Sequence, residues 1–471
     1  MIVGRDNEIK ILETAYKSDY SGFIAVYGRR RVGKTFLVRE TFGRKFAFSY
    51  SGMANVTTKM QLHNFYTVLR QHGFKKGCSP TNWIDAFALL AQYLENCHSK
   101  KKVVFLDELP WMDGPKSSFL PALENFWNGW ASARNDVLLI VCGSATSWIV
   151  NKILRNRGGL HNRLTHQINL RPFTLGECEK FAKKEKLPMS KKLILEAYMI
   201  LGGVPYYWSL LNKNLSLAQN IDTLFFERDA KLRNEFYDLY SSLFNHPEPY
   251  LSIITALAQK KVGMTREELV KASALAENGK IKVYLEDLEN CGFIRKYNSI
   301  GAKSKKAIFQ LIDNFTLFYF KFVYEQNSTD ENYWTKIQNS PIYNNWCGYA
   351  FERICFLHTT QIKRALGISG ILTSEYSLRI PQTVELPGAE IDLLLDRNDK
   401  AMNIIEIKYT KAKFAIDDKY MKILRNKVFR LQQFTKTNKS VFLTMLTTEG
   451  LVKNEFSGEI NNEILAEVLF Y

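Results

Sequence analysis

The sequence predicts an α/β chain: a parallel sheet built around a phosphate-binding loop, a helical lid, a winged helix, and a second α/β domain at the end. Three observations carry this. Five apolar runs of strand length alternate with amphipathic stretches before residue 174, a GxxxxGK[ST] loop follows the first run, and two charged strands joined by a polar turn fill Gly388 to Phe414.

The strand expectations are FIAVYG (Phe23 to Gly28), FAFSY (Phe46 to Tyr50), VVFLDEL (Val103 to Leu109), VLLIVCGS (Val137 to Ser144) and HQINLRPF (His166 to Phe173). Strands separated by helices call for a parallel sheet with both faces covered, here residues 1–174. From Leu175 to about Asn245 helical periodicity takes over, broken at GGVPYYW, and reads as a lid over 175–245. After NHPEP (Asn245 to Pro249), three helical patterns precede CGFIRKY and AIFQLI, a hairpin around a basic turn. That is a winged helix over 246–323. The remainder, 324–471, opens with a long helix around FERICFLHTTQIKRAL before the charged strands. The aromatics of LFYFKFVYEQN read as core packing, and the scattered histidines as structural.

Composition limits the possibilities. A chain of 471 residues implies about three domains, and a 46% hydrophobic content can fill several cores. No apolar run approaches the ~18 residues of a membrane span, and Met1 leads into a charged segment, so the expectation is a cytoplasmic protein with no membrane partner. Seven cysteines without a CxxC pair indicate reduced packing residues, neither disulfides nor zinc ligands. A formal charge of +17 suits a polyanion such as DNA, and equally a well-solvated surface.

GRRRVGKT runs from Gly28 to Thr35 between a predicted strand and a predicted helix. A triphosphate needs many donors in little space. Gly28 and Gly33 let the backbone close around it, Lys34 reaches the β- and γ-phosphates, and the Thr35 hydroxyl takes a place on Mg²⁺. Arg29, Arg30, Arg31 and Val32 fill the loop; the three arginines read as solvated charge, with phosphate contact the lesser reading. VVFLDE delivers Asp107 to the Mg²⁺ shell and Glu108 as the base that polarises water. Ser144, closing the fourth strand, reads either as a γ-phosphate sensor or as a turn former. ATP and Mg²⁺ are the expected cofactors.

In order, VGRDNEIKIL, GRRRVGKT, VVFLDELPW, CGSATSW, HNRLTHQINLRPF and GGVPYYW resemble the archaeal-type ATPases, a branch of the AAA+/STAND P-loop NTPases. The resemblance implies that Gly4 and Arg5 lie near the nucleotide base. It makes Arg163 a candidate arginine finger or sensor, acting in cis or on a neighbouring copy, which would require a homo-oligomer.

In the final domain Glu406 and Lys408, two apart, share a strand face, and Asp392 on the preceding strand can join them. Buried charges need partners or a metal. The D…ExK pattern suits phosphodiester hydrolysis, with Asp392 and Glu406 on Mg²⁺ and Lys408 positioning water. This part resembles the PD-(D/E)XK restriction-endonuclease-like domains, which implies Glu352 as a further acid on the preceding helix. Where those domains have proline before the first Asp, this chain has Ile391. Two readings stay open, a working nuclease and a fold that binds without cutting. The wing lysines 303, 305 and 306, and the run Lys411, Lys413, Lys419, Lys422, Arg425, Lys427 and Arg430, are candidate phosphate contacts.

Overall fold

A computed structural model describes residues 2–471 except 76, 157, 245, 277–278, 299, 301–306, 325 and 327–329. The chain divides into two compact units, residues 1–172 with 241–245, and residues 173–240 with 246–471. Among the described residues, no helix is long and apolar enough to cross a membrane.

The first unit is a five-stranded parallel sheet ordered β2-β3-β4-β1-β5. Its strands are β1 (Gly22–Tyr27), β2 (Phe46–Ser51), β3 (Lys102–Asp107), β4 (Val137–Gly143) and β5 (His166–Asn169). Alternate residues of the central strands enter different cores. Phe23, Ala25, Val104, Leu106, Leu139 and Val141 pack on one face with Phe65, Trp83, Leu90 and Phe126 of the helices Thr58–Gln71, Trp83–Glu95 and Phe119–Gly129. On the other face Ile24, Val26, Val103, Phe105 and Ile140 meet Leu12, Leu37 and Val38 of the helices Asp6–Lys17 and Lys34–Phe42. Burial on both faces explains why these strands read as continuous apolar runs. The fifth strand is short and lies at an edge, with His166, Gln167 and Asn169 exposed.

In the second unit the stretch expected as a lid is helical, with Leu175–Lys184 and Lys191–Leu201 as its longest wholly internal helices. The helices Glu248–Ala258, Arg266–Ser273 and Lys280–Asn290 follow, with a small antiparallel sheet β6-β8-β7 formed by Met264–Thr265, Ala307–Leu311 and Ile294–Asn298. Pairing of β7 with β8 is the hairpin expected from the sequence, and β6 adds a third strand. Lys303, Lys305 and Lys306 lie outside the described residues.

The last sheet is mixed, ordered β13-β12-β11-β10-β9. It comprises β9 (Thr373–Ile380), β10 (Ala389–Arg397), β11 (Ala401–Lys408), β12 (Ser440–Thr447) and β13 (Asn462–Leu465). Pairing is antiparallel from β9 to β11 and parallel from β11 to β13. The helix Asp418–Thr435 packs Met421, Leu424 and Leu431 into its core. Phe318 and Phe322 meet Trp334 and Trp346 edge to face, so these aromatics are packing residues, as the sequence led us to expect. None of the seven cysteines forms a disulfide, and five are buried, but Cys78 is exposed and not a packing residue.

The single helix expected around FERICFLHTTQIKRAL is two, Pro341–Leu357 and Thr359–Ala365, because the backbone breaks at His358. The imidazole explains the break. Its Nδ1 faces the Ile354 carbonyl at 2.8 Å, while Nε2 accepts the Leu175 amide at 3.0 Å, tying the first lid helix to this one. Accepting requires a neutral ring. Burial holds the His358 pKa down at about 4, whereas an unfolded histidine titrates near ~6.5. Such a group contributes stability that is whole above the unfolded value and is lost as pH falls toward the folded one. Acidifying from about pH 7 to about pH 5 should therefore remove on the order of 2 kcal/mol from the second unit. Urea titrations should show that slope in the wild type and its loss in His358→Gln.

Candidate functional site

The phosphate loop leaves the carboxyl end of β1 and feeds the Lys34–Phe42 helix. Gly28 has φ 140°, and a Cβ there would lie 2.2 Å from the Leu170 carbonyl oxygen, so only glycine fits. Gly33 is left-handed as well, at φ 90°, as is Arg31 at φ 70°. These turns bring the chain to a helix N-terminus, where unpaired amides and the helix dipole favour a phosphate. The Lys34 side chain is buried and arches back over the loop, donating to the carbonyls of Gly28 (2.8 Å) and Arg29 (2.9 Å). Arg29 is buried, against the expectation of solvated charge, and so is Val32, while Arg31 is half-buried and Arg30 exposed.

The loop's partners come from β3 and β4. The Thr35 hydroxyl donates to Asp107 Oδ2 at 2.8 Å, so the two oxygens expected to share Mg²⁺ already face each other. Such a donor set fits a hard cation beside phosphates. Glu108 takes a left-handed backbone, φ 51°, a conformation that non-glycine residues rarely adopt outside turns and functional sites. One carboxylate oxygen, Oε2, accepts from both the Ser144 amide (3.0 Å) and the Ser144 hydroxyl (2.8 Å). Spacing alone does not reveal this pairing, since Ser144, just past the end of β4, is 36 residues further on.

The amino-terminal box closes on the same end of the sheet. Arg5 is buried and donates to the Arg171 carbonyl at 2.7 Å, next to the Leu170 that abuts Gly28. Arg163 is different. It is exposed, three residues before β5, whose register pairs His166 with Ile24. That puts Arg163 beyond the amino end of β1, about 20 Å along the strands from the loop at ~3.3 Å per residue. In its own chain it does not join the phosphate loop.

The charged strands of the last sheet do meet. The β10–β11 register pairs Leu393 with Ile405, and continuing it sets Asp392 across from Glu406. A register shift between β9 and β10 falls at Ile391 to Leu394, around Asp392; such irregularities re-aim side chains. Asp392 Oδ2 accepts the Ile407 amide at 3.0 Å. Lys408 stands 3.0 Å from Glu406. Two groups that the sequence reading did not assign here come from the Asp418–Thr435 helix. Tyr420 donates to Glu406 Oε1 at 2.5 Å, and the buried Lys427 pairs with Oε2. They lie seven residues apart, two turns along one helix face. Glu352, on the Pro341–Leu357 helix, is 2.9 Å from Lys261.

Burial, then the fields of Glu406 and Glu352, push the Asp392 carboxyl up to about 7. Burial would raise Glu406 too, but Lys427 and Lys408 beside it hold it below the usual carboxylate range. Burial raises Glu352 against the pull of Lys261. Among the described residues no group of three His, Cys, Asp or Glu side chains could hold a metal ion. The reason is visible at Glu406, whose two oxygens already carry ammonium and phenol partners. In this arrangement Glu352, Asp392 and Glu406 do not fit a divalent cation. The basic run is also partly spent: Lys427 and Arg430 are buried, Arg425 pairs with Glu459, and Lys422 with Asp418.

Residues 2–211 match a family described as an ATPase domain predominantly from Archaea. An uncharacterized protein of Methanocaldococcus jannaschii is 26% identical over 428 residues, 88% of each chain. A Walker-type ATPase of Pyrococcus abyssi aligns with 67% of this chain and 95% of its own, with TM-score 0.48 and 16% identity. The ORC2 protein of Aeropyrum pernix aligns with 73% of this chain and 93% of its own, with TM-score 0.41 and 14% identity.

Gly28→Ala tests the loop geometry. The added methyl must displace either the loop or the Leu170 carbonyl, so affinity for a fluorescent ATP analogue should fall at least about tenfold, the ~1.4 kcal/mol of a modest steric clash. Gly348→Ala, in a helix with nothing within 4 Å of the new methyl, should bind as the wild type does.

Proposed function

Because residues 2–211 form an ATPase domain of archaeal type, we propose that this protein hydrolyses ATP with Mg²⁺ and uses its nucleotide state to control a DNA-binding second unit. The observation that carries the first half is the convergence of Lys34, Thr35, Asp107 and Glu108 at one end of the sheet. Lys34 exchanges two backbone carbonyls for the β- and γ-phosphate oxygens, which are stronger partners because the bonds become charged on both sides. Thr35 and Asp107 would hold Mg²⁺, whose charge offsets that of the phosphates. Glu108, with one oxygen fixed by Ser144, orients a water in line with the γ-phosphate and takes its proton. Arg163, facing away from its own loop, suits the nucleotide of a neighbouring copy.

DNA as the polymer rests on the charge of +17 and on reading residues 246–323 as a winged helix whose wing would carry Lys303, Lys305 and Lys306. For the final domain we favour binding without cutting, since Glu406 is saturated by Lys408, Lys427 and Tyr420. The second reading, an ATP-controlled PD-(D/E)XK nuclease, is favoured by the cross-strand approach of Asp392 to Glu406 with Lys408 alongside.

Glu108→Gln keeps the shape of the side chain and removes the base. ATP binding should persist while steady-state phosphate release drops roughly 10²- to 10⁴-fold. Undiminished hydrolysis would remove Glu108 from the mechanism. Supercoiled DNA incubated with ATP and Mg²⁺ separates the two readings of the final domain: retarded but intact plasmid supports the first, nicked plasmid the second.

A further inference from the structure

We propose that three lysines stand where a divalent cation would, Lys408 and Lys427 against Glu406 and Lys261 against Glu352, making the acidic group an ionic lock between the three-helix module and the last sheet. The proposal rests on the endonuclease-like reading of residues 324–471 only for the expectation of a metal. The pairs themselves are independent of it.

Lys427 is the clearest part. It is 7% exposed, on a helix that packs against the sheet, and its ammonium reaches Glu406 Oε2. A lysine is taken out of water at a cost of several kcal/mol unless a carboxylate meets it, and a carboxylate likewise. Here each removes the other's penalty. Lys408 and Tyr420 fill the remaining acceptor, Oε1, so no face of that carboxylate is left for a further ligand.

Lys261 comes from outside the C-terminal domain, in the turn between the Glu248–Ala258 helix and β6. Its ammonium lies 2.9 Å from Glu352, 3.8 Å from Glu390 and 4.3 Å from the Tyr349 ring centre. Its backbone is held as firmly, since its carbonyl accepts from Gln310 of β8 at 2.8 Å and from the buried Arg353 guanidinium. Side chain and main chain of one residue thus fasten the module to two consecutive residues of the Pro341–Leu357 helix. Four acids, Glu352, Glu390, Asp392 and Glu406, are then faced by four cations, Lys261, Arg353, Lys408 and Lys427. A divalent ion entering this set adds two positive charges beside four cations that the four acids at most balance.

Removing one cation should open the site. Nucleotide-free full-length protein is titrated with Mn²⁺, read by the loss of the free-ion EPR signal and by thermal unfolding. The wild type and Asp392→Asn should respond identically. Lys427→Met should bind about one additional Mn²⁺ and gain thermal stability from it, and Lys427→Met with Asp392→Asn should lose that gain. Lys427→Arg, which keeps the charge, should match the wild type. Lys261→Met should expose the module to proteolysis ahead of the rest of the second unit. A wild-type Mn²⁺ site abolished by Asp392→Asn would overturn the proposal, and so would a folded Lys427→Met that gains no ion. Should Lys427→Met not fold, the wild-type comparison with Asp392→Asn decides alone. None of these readouts involves ATP turnover, so failure here is distinct from failure of the ATPase reading.

Discussion

A charge removed from water must be met by another group, and this constraint arranges both ends of the molecule. In the first unit it draws Lys34 onto backbone carbonyls, Thr35 onto Asp107 and Ser144 onto Glu108. In the second it gathers acids and lysines from elements far apart in sequence. The outcomes differ in kind. A lysine on two carbonyl oxygens has neutral partners that an anion can readily replace, whereas a lysine on a buried carboxylate has the strongest partner the protein can offer. The first arrangement is ready for a ligand; the second is already complete.

How much of this was legible follows from the range of each interaction. The phosphate loop could be read because its chemistry lies within eight consecutive residues, Gly28 to Thr35, and the strand before it is apolar throughout. Asp107 and Glu108 were legible for the same local reason. Asp392, Glu406 and Lys408 needed one further step, the pairing of adjacent strands, and a short polar turn supplies it. The strand boundaries moved by a few residues at most, except at β5, which ends at Asn169 where the apolar run suggested Phe173.

What escaped depends on tertiary contact. Ser144 stands out as the residue closing a strand, but its bond to Glu108 depends on β4 lying beside β3. Lys427 reads as one of seven candidate phosphate contacts because six other cations surround it, and only the seven-residue spacing to Tyr420 hints at a shared inward face. Lys261 stands 91 residues from Glu352 and gave no signal. His358 sits in an unbroken helical pattern, so its break became visible only with the Leu175 amide in place. Arg163 shows the converse: a motif can be legible while its geometry is not, because the parallel register of β5 decides which end of the sheet it occupies.

The β5 edge of the first sheet, one of its two borders, bears on growth of the molecule. An uncovered strand normally invites another chain to dock by main-chain pairing, and long apolar edges are where aggregation begins. Here β5 offers four residues, and its exposed His166, Gln167 and Asn169 keep water on that border. A passing copy finds little ladder to extend, so any ordered assembly through this side has to be made by side chains and loops, which can be released again.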